Sequence, residues 1–326
     1  MDRRTFIGAV AAGIITAPLA AYAQTATTVR RIGALSLDAP PTPARIQQLY
    51  APLSELGWTV GKNLLIERRN ANGRAELLRP LAEELVRLKV EIIVTSGTDA
   101  ALAAKEATTS LPIVLYAAGD PVGAGLVASL SRPGGNITGY SVLTTELRAK
   151  RLELLHELLP AAQRIGELVN PRNPLWKIGH KKYEEAYRSL GMQPIFVDVA
   201  VAGDVGHAFV ELAEQRAQAL VVPEDNLFDA NSALIMGTAL RRALPTVVGD
   251  TRMVRDGGLV TYAIAPGEGD HRLAYFIDKI LRGAKPADLP IAQATKFRLI
   301  INLKTAKALG TKIPQSILVR ADQVIQ

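Results

Sequence analysis

Glu91 to Val127 read E-I-I-V-T-S-G-T-D-A-A-L-A-A-K-E-A-T-T-S-L-P-I-V-L-Y-A-A-G-D-P-V-G-A-G-L-V, and the periods of this stretch predict a β-α-β-α unit. Two short apolar runs, Glu91–Thr95 and Leu111–Tyr116, are typical of parallel strands that are buried on both faces. An Ala-rich segment between them predicts a helix, and Asp120-Pro121 supplies an N-cap and a first-turn proline for a second helix. Two helix N-termini are therefore expected at one sheet edge, where free N–H groups favour an anion or a polar ligand group.

Strands and helices alternate along the rest of the chain in two series of similar size. The first series begins with a predicted strand at Arg31–Leu37, and the second begins with a helix at Thr145–Leu159 followed by a strand at Arg164–Val169. Right-handed crossovers between such elements build doubly wound parallel sheets. Because no linker separates the two series, the predicted fold is α/β with two similar lobes, each a parallel sheet flanked by helices.

The composition indicates a globular protein with a large core. The chain has 326 residues, of which 48% are hydrophobic and 21% are charged, and this length suggests two domains. The formal net charge is +7, and it falls to +6 without the first 23 residues, which contain two arginines and one aspartate. The basic residues occur as scattered pairs among acids rather than in one cluster interleaved with aromatics, so we expect no nucleic-acid partner.

The N-terminus has the pattern of a signal peptide over residues 1–23. Arg3-Arg4 precede an apolar segment, Phe6–Ala20, and Ala21-Tyr22-Ala23 fits a small-x-small cleavage site before Gln24. The paired arginines favour twin-arginine export, and a Sec signal is the alternative. The chain contains no cysteine, which excludes a lipoprotein anchor, disulfides and thiolate metal sites. We therefore expect an exported, periplasmic protein that is cleaved after Ala23.

Motifs for catalysis and cofactor binding are weak or missing. The segment Gly123–Ala128 matches G-x-G-x-x-A, but it lies beyond the first strand, and helix–sheet packing in the predicted helix after Pro121 explains its glycines better. The four histidines form no H-x-x-x-H pair, and no P-loop or G-x-S-x-G elbow is present. We expect no catalytic residues, no metal and no cofactor.

Several acidic and aromatic residues follow predicted strands. Helix capping accounts for Asp99 and Asp120, whereas Asp225 and Asp250 suit either capping or ligand binding. Trp176 follows a β-α turn outside any core stripe, where stacking on a flat ligand is one interpretation and packing the other. Further aromatic residues near the predicted strand ends are Tyr116, Tyr140, Phe228 and Tyr262.

Four longer motifs resemble one family. They are G-D-P-V-G-A-G-L-V-A-S-L-S-R-P-G-G-N-I-T-G (Gly119–Gly139), K-R-L-E-L-L (Lys150–Leu155), G-G-L-V-T-Y (Gly257–Tyr262) and A-T-K-F-R-L-I-I-N-L-K-T-A-K-A-L-G (Ala294–Gly310). Together with the Ser-Gly-Thr turn they resemble the ABC-transporter substrate-binding proteins of the tryptophan-binding-like family. Members of that family adopt the type I periplasmic binding protein fold.

The resemblance implies two lobes joined by three crossings, with a ligand cleft between them. It implies an N-terminal lobe of residues 24–142 plus 264–291 and a C-terminal lobe of residues 143–263 plus 292–326. Family members bind amino acids, often aromatic ones, and the Ser96-Gly97-Thr98 turn matches their carboxylate-binding turn. The full set of expected ligand-binding residues is Ser36, Ser96, Gly97, Thr98, Tyr116, Asp120, Asn170, Trp176, Asp225, Asp250 and Tyr262.

The resulting hypothesis is a periplasmic solute-binding component of an ABC importer. It would capture a small carboxylate-bearing ligand, an amino acid or an aromatic acid, and deliver it as a monomer to a permease in the inner membrane. A periplasmic ligand sensor for a membrane receptor is an alternative that uses the same closed form. An exported α/β enzyme is a further alternative, and the lack of a nucleophile–base or metal constellation disfavours it.

Overall fold

The computed structural model describes residues 29–142 and 144–326, so the predicted signal peptide lies outside the described residues. The strands in these ranges are β1 (Arg30–Ser36), β2 (Leu64–Asn70), β3 (Ile92–Ser96), β4 (Ile113–Gly119), β5 (Ile137–Val142), β6 (Arg164–Val169), β7 (Gln193–Asp198), β8 (Ala219–Val222), β9 (Thr246–Val248), β10 (Val260–Ile264), β11 (Ala292–Gln293), β12 (Phe297–Asn302) and β13 (Gln323–Ile325). The α-helices are α1 (Pro43–Glu55), α2 (Leu78–Arg87), α3 (Gly97–Ala107), α4 (Thr144–Leu158), α5 (Pro174–Ser189), α6 (Val205–Glu214), α7 (Asn226–Ala230), α8 (Ser232–Arg241), α9 (Thr251–Arg255), α10 (Glu268–Leu281), α11 (Leu303–Ala308) and α12 (Gln315–Arg320). Within the described ranges, no helix has both the length and the apolar character needed to span a membrane.

The strands form two separate, mostly parallel sheets, which confirms the predicted fold class. One sheet has the strand order β11-β5-β4-β3-β1-β2, and the other has the order β13-β12-β10-β9-β8-β6-β7. The pairing of β10 with β12 is antiparallel, whereas the other pairs between these strands are parallel. In both sheets the chain reverses its direction of winding, between β1 and β3 and between β6 and β8. Ligands of such folds bind beside the strand ends at these points.

Burial on both faces of each sheet explains why these segments form strands. Successive residues of β3 enter different apolar clusters, since Ile92 and Val94 contact the cluster under α1 and α10 while Ile93 contacts that under α2 and α3. The second sheet is covered in the same way, with α6 to α9 on one face and α4, α5, α11 and α12 on the other. Each fully buried Ile, Leu or Val contributes roughly 1.5–3 kcal/mol.

The helix predicted after Asp120-Pro121 is wrong, because residues 121–125 form a turn. Asp120 has φ +32° and Gly125 has φ +67°, neither of which a helix allows. The Asp120 carboxylate accepts a hydrogen bond from Gly123 N at 2.9 Å, and a Cβ at Gly123 would lie 2.2 Å from Asp120 Oδ2. The two glycines therefore permit a tight turn, and the predicted role in helix–sheet packing is also wrong.

The chain passes between the sheets three times in the described residues, after β5, after β10 and after β11. Helix α10 packs on the first sheet although it follows β10 of the second. The boundary predicted at residue 291 falls just before β11, and the structure keeps Ala292 and Gln293 in the first sheet, because they pair with Tyr140 and Ser141. Glu268 joins two crossings, since its carboxylate accepts hydrogen bonds from the backbone N–H groups of Thr295 and Lys296.

A buried ionic network lies between α4, α5 and the second sheet. Arg148 donates a hydrogen bond to Glu167, which is fully buried and also accepts one from the Tyr187 hydroxyl. The Arg148 guanidinium lies 3.6 Å from the centre of the Tyr183 ring. Burial raises the pKa of Glu167, and the arginine opposes this effect. The network is therefore stable only while both charges are present.

We expect Arg148→Met to lower the free energy of unfolding by about 3–5 kcal/mol, because it leaves Glu167 buried without its charge partner. The matched control is Arg188→Met, which removes an exposed ion pair with Glu184 and is expected to cost less than about 1 kcal/mol. Urea denaturation followed by circular dichroism measures both. Equal losses in the two variants would contradict the assigned role of the buried pair.

Candidate functional site

A cavity of about 240 Å³ lies between the facing edges of the two sheets. Residues that end or follow β1, β3, β4 and β5 form one wall, and residues that end or follow β6, β8, β9 and β10 form the other. Its volume lies just below the roughly 300–1,000 Å³ of small-molecule sites. The cavity therefore suits a small guest that both lobes enclose.

The first-lobe wall is centred on the N-terminus of α3, where Gly97 and Thr98 line the cavity. Thr98 Oγ1 donates to Gly119 O at 3.2 Å and accepts from Gly119 N at 3.1 Å, so it ties the end of β3 to the end of β4. Gly97 has φ +80°, which is available mainly to glycine. Helix N-termini favour negatively charged groups, and this one lies at the cavity wall.

An irregularity in β4 shapes the same wall. The pairing of β4 with β5 shifts register between Leu115 and Ala118, and Ala117 has φ +57°. A positive φ is uncommon for a residue other than glycine, and such bulges often lie beside binding sites. Ala117 lines the cavity as a result. Nothing in the alternation of apolar residues indicated this feature.

The second-lobe wall contains a network of amides around the Asp225 carboxylate. Asp225 accepts hydrogen bonds from Asn173 Nδ2 at 2.7 Å, from Asn170 Nδ2 at 3.1 Å and from Leu227 N at 2.8 Å. It therefore caps α7 and contributes to the cavity surface at once. The two roles that the sequence left open for Asp225 are both compatible with this position.

Glu224 and Arg151 form an ion pair beside the cavity that the sequence analysis missed. Nη1 and Nη2 of Arg151 both donate to the Glu224 carboxylate, Nη1 at 2.7 Å. Arg151 Nε also donates to Tyr262 O, and the side chain is only 1% exposed. The K-R-L-E-L-L motif contains Arg151, but its spacing from Glu224 gave no signal of the pair.

A second acidic group surrounds Arg252. Arg252 contacts Asp250 Oδ1 at 3.0 Å and Asp229 Oδ2 at 3.0 Å, and Asp250 also caps α9 by accepting from Arg252 N. Asp229 Oδ1 is shielded from solvent and has no hydrogen-bond partner among the described residues. Burial and the nearby Asp250 raise the pKa of Asp229 well above its usual value, and Arg252 opposes this effect. Both aspartates line the cavity.

Asp99 lies on the opposite wall, in the first turn of α3. Burial and the charge of Asp225 raise its pKa to about 6. Ser96 is the N-cap of this helix, and its side chain makes no capping hydrogen bond. Asp99 is a half-buried carboxylate that lines the cavity and makes no capping hydrogen bond, so the capping role predicted for it is wrong.

The predicted site residues that are not aromatic divide into two groups. Gly97, Thr98, Asn170, Asp225 and Asp250 line the cavity together, and their contact with a ligand stays a prediction. Ser36, Ser96 and Asp120 lie beside it, with the Ser36 hydroxyl bonded to Asp38 at 2.9 Å. The sequence patterns did not indicate four further lining residues that follow β6 and β8, namely Asn173, Glu224, Asn226 and Asp229.

The three aromatic candidates lie outside the lining of the main cavity. Tyr116 donates to Asp270 and accepts from Arg45, both at 2.8 Å. Tyr262 stacks on Phe297, and Trp176 packs edge-on against Phe196 with ring centres 4.8 Å apart. Trp176 does line a smaller adjoining pocket with Arg148 and Tyr183. Within the described residues the main cavity has aliphatic walls instead, formed by Leu37, Ala117, Val142, Leu175, Ala263 and Ile264.

Two glycines leave room for side chains of the opposite wall, which shows that the lobes approach each other closely. A Cβ built on Gly119 of β4 would lie 2.5 Å from Leu175 Cδ1 of α5, and one built on Gly97 would lie 3.7 Å from Asn226 Nδ2. No group of three or more His, Asp or Glu side chains suited to a metal ion occurs in residues 29–142 and 144–326. The cavity is therefore a cleft between two nearby walls, and its chemistry comes from carboxylates, amides and helix N–H groups.

The sequence profile described as "ABC transporter substrate binding protein" matches residues 37–325. The chain belongs to this family. The resemblance to it that the motifs indicated is thereby confirmed. Proteins of this family are typically extracellular or periplasmic. This substrate-binding protein therefore presents its cavity at the position where the fold places a ligand.

Relatives of this substrate-binding protein include binders of aromatic amino acids. A "Tyrosine-binding protein" from Clostridioides difficile (strain R20291) is 29% identical over 258 residues, which cover 79% of this chain and 74% of that protein. An ABC domain from Streptococcus pneumoniae in complex with L-Trp is 27% identical, with a TM-score of 0.84 over 91% of this chain and 100% of that one. The ligand-free, open structure of a substrate-binding protein with adhesive properties from Clostridium difficile is also 27% identical at the same coverage, with a TM-score of 0.66.

We expect Asp99→Asn to raise the free energy of unfolding of the ligand-free protein at pH 7.5 by roughly 1–3 kcal/mol. The folded-state pKa of about 6 lies above the ordinary value of 3.8, so the native protein holds a proton that the unfolded chain releases. Wild-type stability therefore falls, relative to the variant, as the pH rises from about 4 to about 6, and the full penalty persists above that.

Urea titrations at pH 4 and pH 7.5 measure this difference, on protein freed of any co-purified ligand by unfolding and refolding. Glu214→Gln, on the exposed end of α6, is the control and should leave the pH dependence unchanged. A variant no more stable than wild type at pH 7.5 would refute the assigned burial of the Asp99 charge.

Proposed function

We propose that this protein is the solute-binding component of an ABC importer and that its ligand is a small amino acid enclosed between the two lobes. The single observation that carries the proposal is the cavity itself, which sets the N-terminus of α3 against a wall of carboxylates. A helix N-terminus favours a carboxylate, and carboxylates favour an ammonium group. An amino acid carries both groups on one carbon.

The cellular role in this proposal follows from the signal-peptide pattern of residues 1–23 and from the family. After export and cleavage, the protein would bind its ligand in the periplasm as a monomer and present the closed form to a permease in the inner membrane. Binding without turnover fits the cavity, whose lining groups are held in caps and ion pairs. Two relatives, the tyrosine-binding protein and the domain in complex with L-Trp, support an amino acid as the ligand class.

Hinge closure is the second part of the proposal. The three crossings provide hinge segments, and a ligand that contacts both walls favours the closed form over the open one. At equal identity and coverage, the chain superposes more closely on the tryptophan-bound structure than on the ligand-free open one. The contacts of Gly119 with Leu175 and of Gly97 with Asn226 support the same closed arrangement.

We expect at least one L-amino acid to raise the melting temperature of the purified protein by roughly 5 °C at saturation, because a ligand at about 100 times its Kd adds roughly 2.7 kcal/mol. A thermal-shift screen of the natural amino acids measures this. For each hit, the corresponding acid without the amine and the amine without the carboxylate are the controls, and both should stabilise far less. Failure of every amino acid to stabilise the protein would refute the proposed ligand class.

We expect Gly119→Val to weaken ligand binding by about tenfold or more, since its side chain would occupy the space of Leu175 in the closed form. Small-angle scattering should then show an unchanged radius of gyration on adding ligand, in contrast to the decrease expected for wild type. The double variant with Leu175→Ala should recover part of the closure.

Gly206→Val serves as the control for the added side chain, because nothing lies within 4 Å of a Cβ at that position. It should bind and close like wild type. Normal closure in Gly119→Val would show that the contact between β4 and α5 does not belong to the ligand-bound state.

A further inference from the structure

The lining of the main cavity has a strong excess of negative charge. Its described residues include five carboxylates and no lysine, arginine or histidine; the carboxylates are Asp99, Glu224, Asp225, Asp229 and Asp250. Two arginines behind the lining, Arg151 and Arg252, pair with some of them. Three negative charges therefore remain uncompensated around a volume of about 240 Å³.

The carboxylates differ in how well they are already satisfied. Glu224 accepts hydrogen bonds from Nη1 and Nη2 of Arg151. Asp225 accepts three hydrogen bonds from amides, and Asp250 caps α9 beside Arg252. Asp99 has no hydrogen-bond partner among the described residues, and Asp229 Oδ1 is buried and unpartnered. Among the described residues, Asp99 therefore has no hydrogen-bond partner, and Asp229 has one free oxygen, since Arg252 contacts only its Oδ2.

These two groups lie on opposite walls, in the first turn of α3 and in α7 respectively. Burial of an unpaired carboxylate is unfavourable, and a cation at hydrogen-bond distance removes the penalty. The α-ammonium group of an ordinary amino acid can satisfy one of them. The other needs a second cationic group on the same ligand.

The apolar part of the cavity limits the chemistry of the ligand segment that connects its two cationic groups. The described lining contains aliphatic side chains and no aromatic ring, and Tyr116, Trp176 and Tyr262 are engaged elsewhere. A flexible methylene chain fits aliphatic walls, whereas an indole or phenol ring would lack the stacking partner that such rings prefer.

We infer that the ligand is a small aliphatic amino acid with a second cationic group on its side chain, of the lysine or ornithine class. This inference rests on the proposed function and narrows it. It separates this chain from the tyrosine-binding relative and from the relative in complex with L-Trp. The second cation pairs with Asp229 or Asp99, and the α-carboxylate lies at the N-terminus of α3.

Isothermal titration calorimetry with L-lysine, L-ornithine and L-norleucine tests the inference. Norleucine keeps the aliphatic chain of lysine and lacks the side-chain amine, so the difference in Kd isolates the second cation. The expected result is binding of lysine or ornithine roughly tenfold or more tighter than norleucine, L-tryptophan and L-tyrosine.

Two isosteric variants locate the second cation. Asp99→Asn removes a carboxylate without a hydrogen-bond partner, and Asp229→Asn removes one whose Oδ1 is unpartnered. One of these variants should reduce the preference for lysine or ornithine over norleucine by about tenfold. Glu214→Gln, outside the cavity on α6, should preserve it. Thermal melts check that each variant is folded. If one of the two variants does not fold, the other still tests its own carboxylate.

The outcomes separate this inference from the proposed function. Norleucine or an aromatic amino acid binding as tightly as lysine and ornithine would overturn the inference and leave an amino-acid receptor intact. An unchanged preference in both folded aspartate variants would overturn the assignment to these two carboxylates. Binding of no amino acid at all would overturn the proposed function and the inference together.

Discussion

Two mostly parallel sheets face each other with the edges at which their strands end, and the rest of this molecule depends on this arrangement. In a parallel sheet all strand-to-helix loops leave at the same edge, so each lobe presents its polar turns on one side. Three passages of the chain between the sheets bring those sides together. Residues far apart in sequence, such as Thr98, Asn173 and Asp250, thereby line one cavity. Without this arrangement the same side chains would be ordinary helix caps on two unrelated surfaces.

Charge is the second theme of the cleft. The protein as a whole is basic, yet the cavity lining is acidic, and the arginines that accompany it are held behind the surface in ion pairs. Such an arrangement fixes the carboxylates in place without neutralising all of them. Burial and the neighbouring carboxylates raise the pKa values of Asp99 and Asp229 within this lining. A receptor of this kind gains affinity when its ligand supplies the missing positive charge.

The interior of each lobe is packed more extensively than the cleft between the lobes. Each lobe has apolar clusters on both faces of its sheet, and the second lobe adds the buried pair of Arg148 and Glu167. The contacts across the cleft are few by comparison, and Gly119 against Leu175 is the tightest of those described above. In the proposed hinge closure, a ligand that adds contacts on both walls would shift the balance between open and closed forms by a modest free energy.

The sequence alone determined the α/β class, the two β-α series and the family, because period, strand burial and long motifs are local properties of the chain. It also placed Gly97, Thr98, Asn170, Asp225 and Asp250 after strands, where the topology carries them to the cleft. Local patterns did not predict the backbone where residues adopt a positive φ. Examples are the turn at Asp120–Gly125 and the bulge at Ala117. Only the tertiary structure decided that Trp176 packs against Phe196 and that Asp99 faces Asp225, since burial and charge pairing depend on distances between segments that the sequence order does not encode.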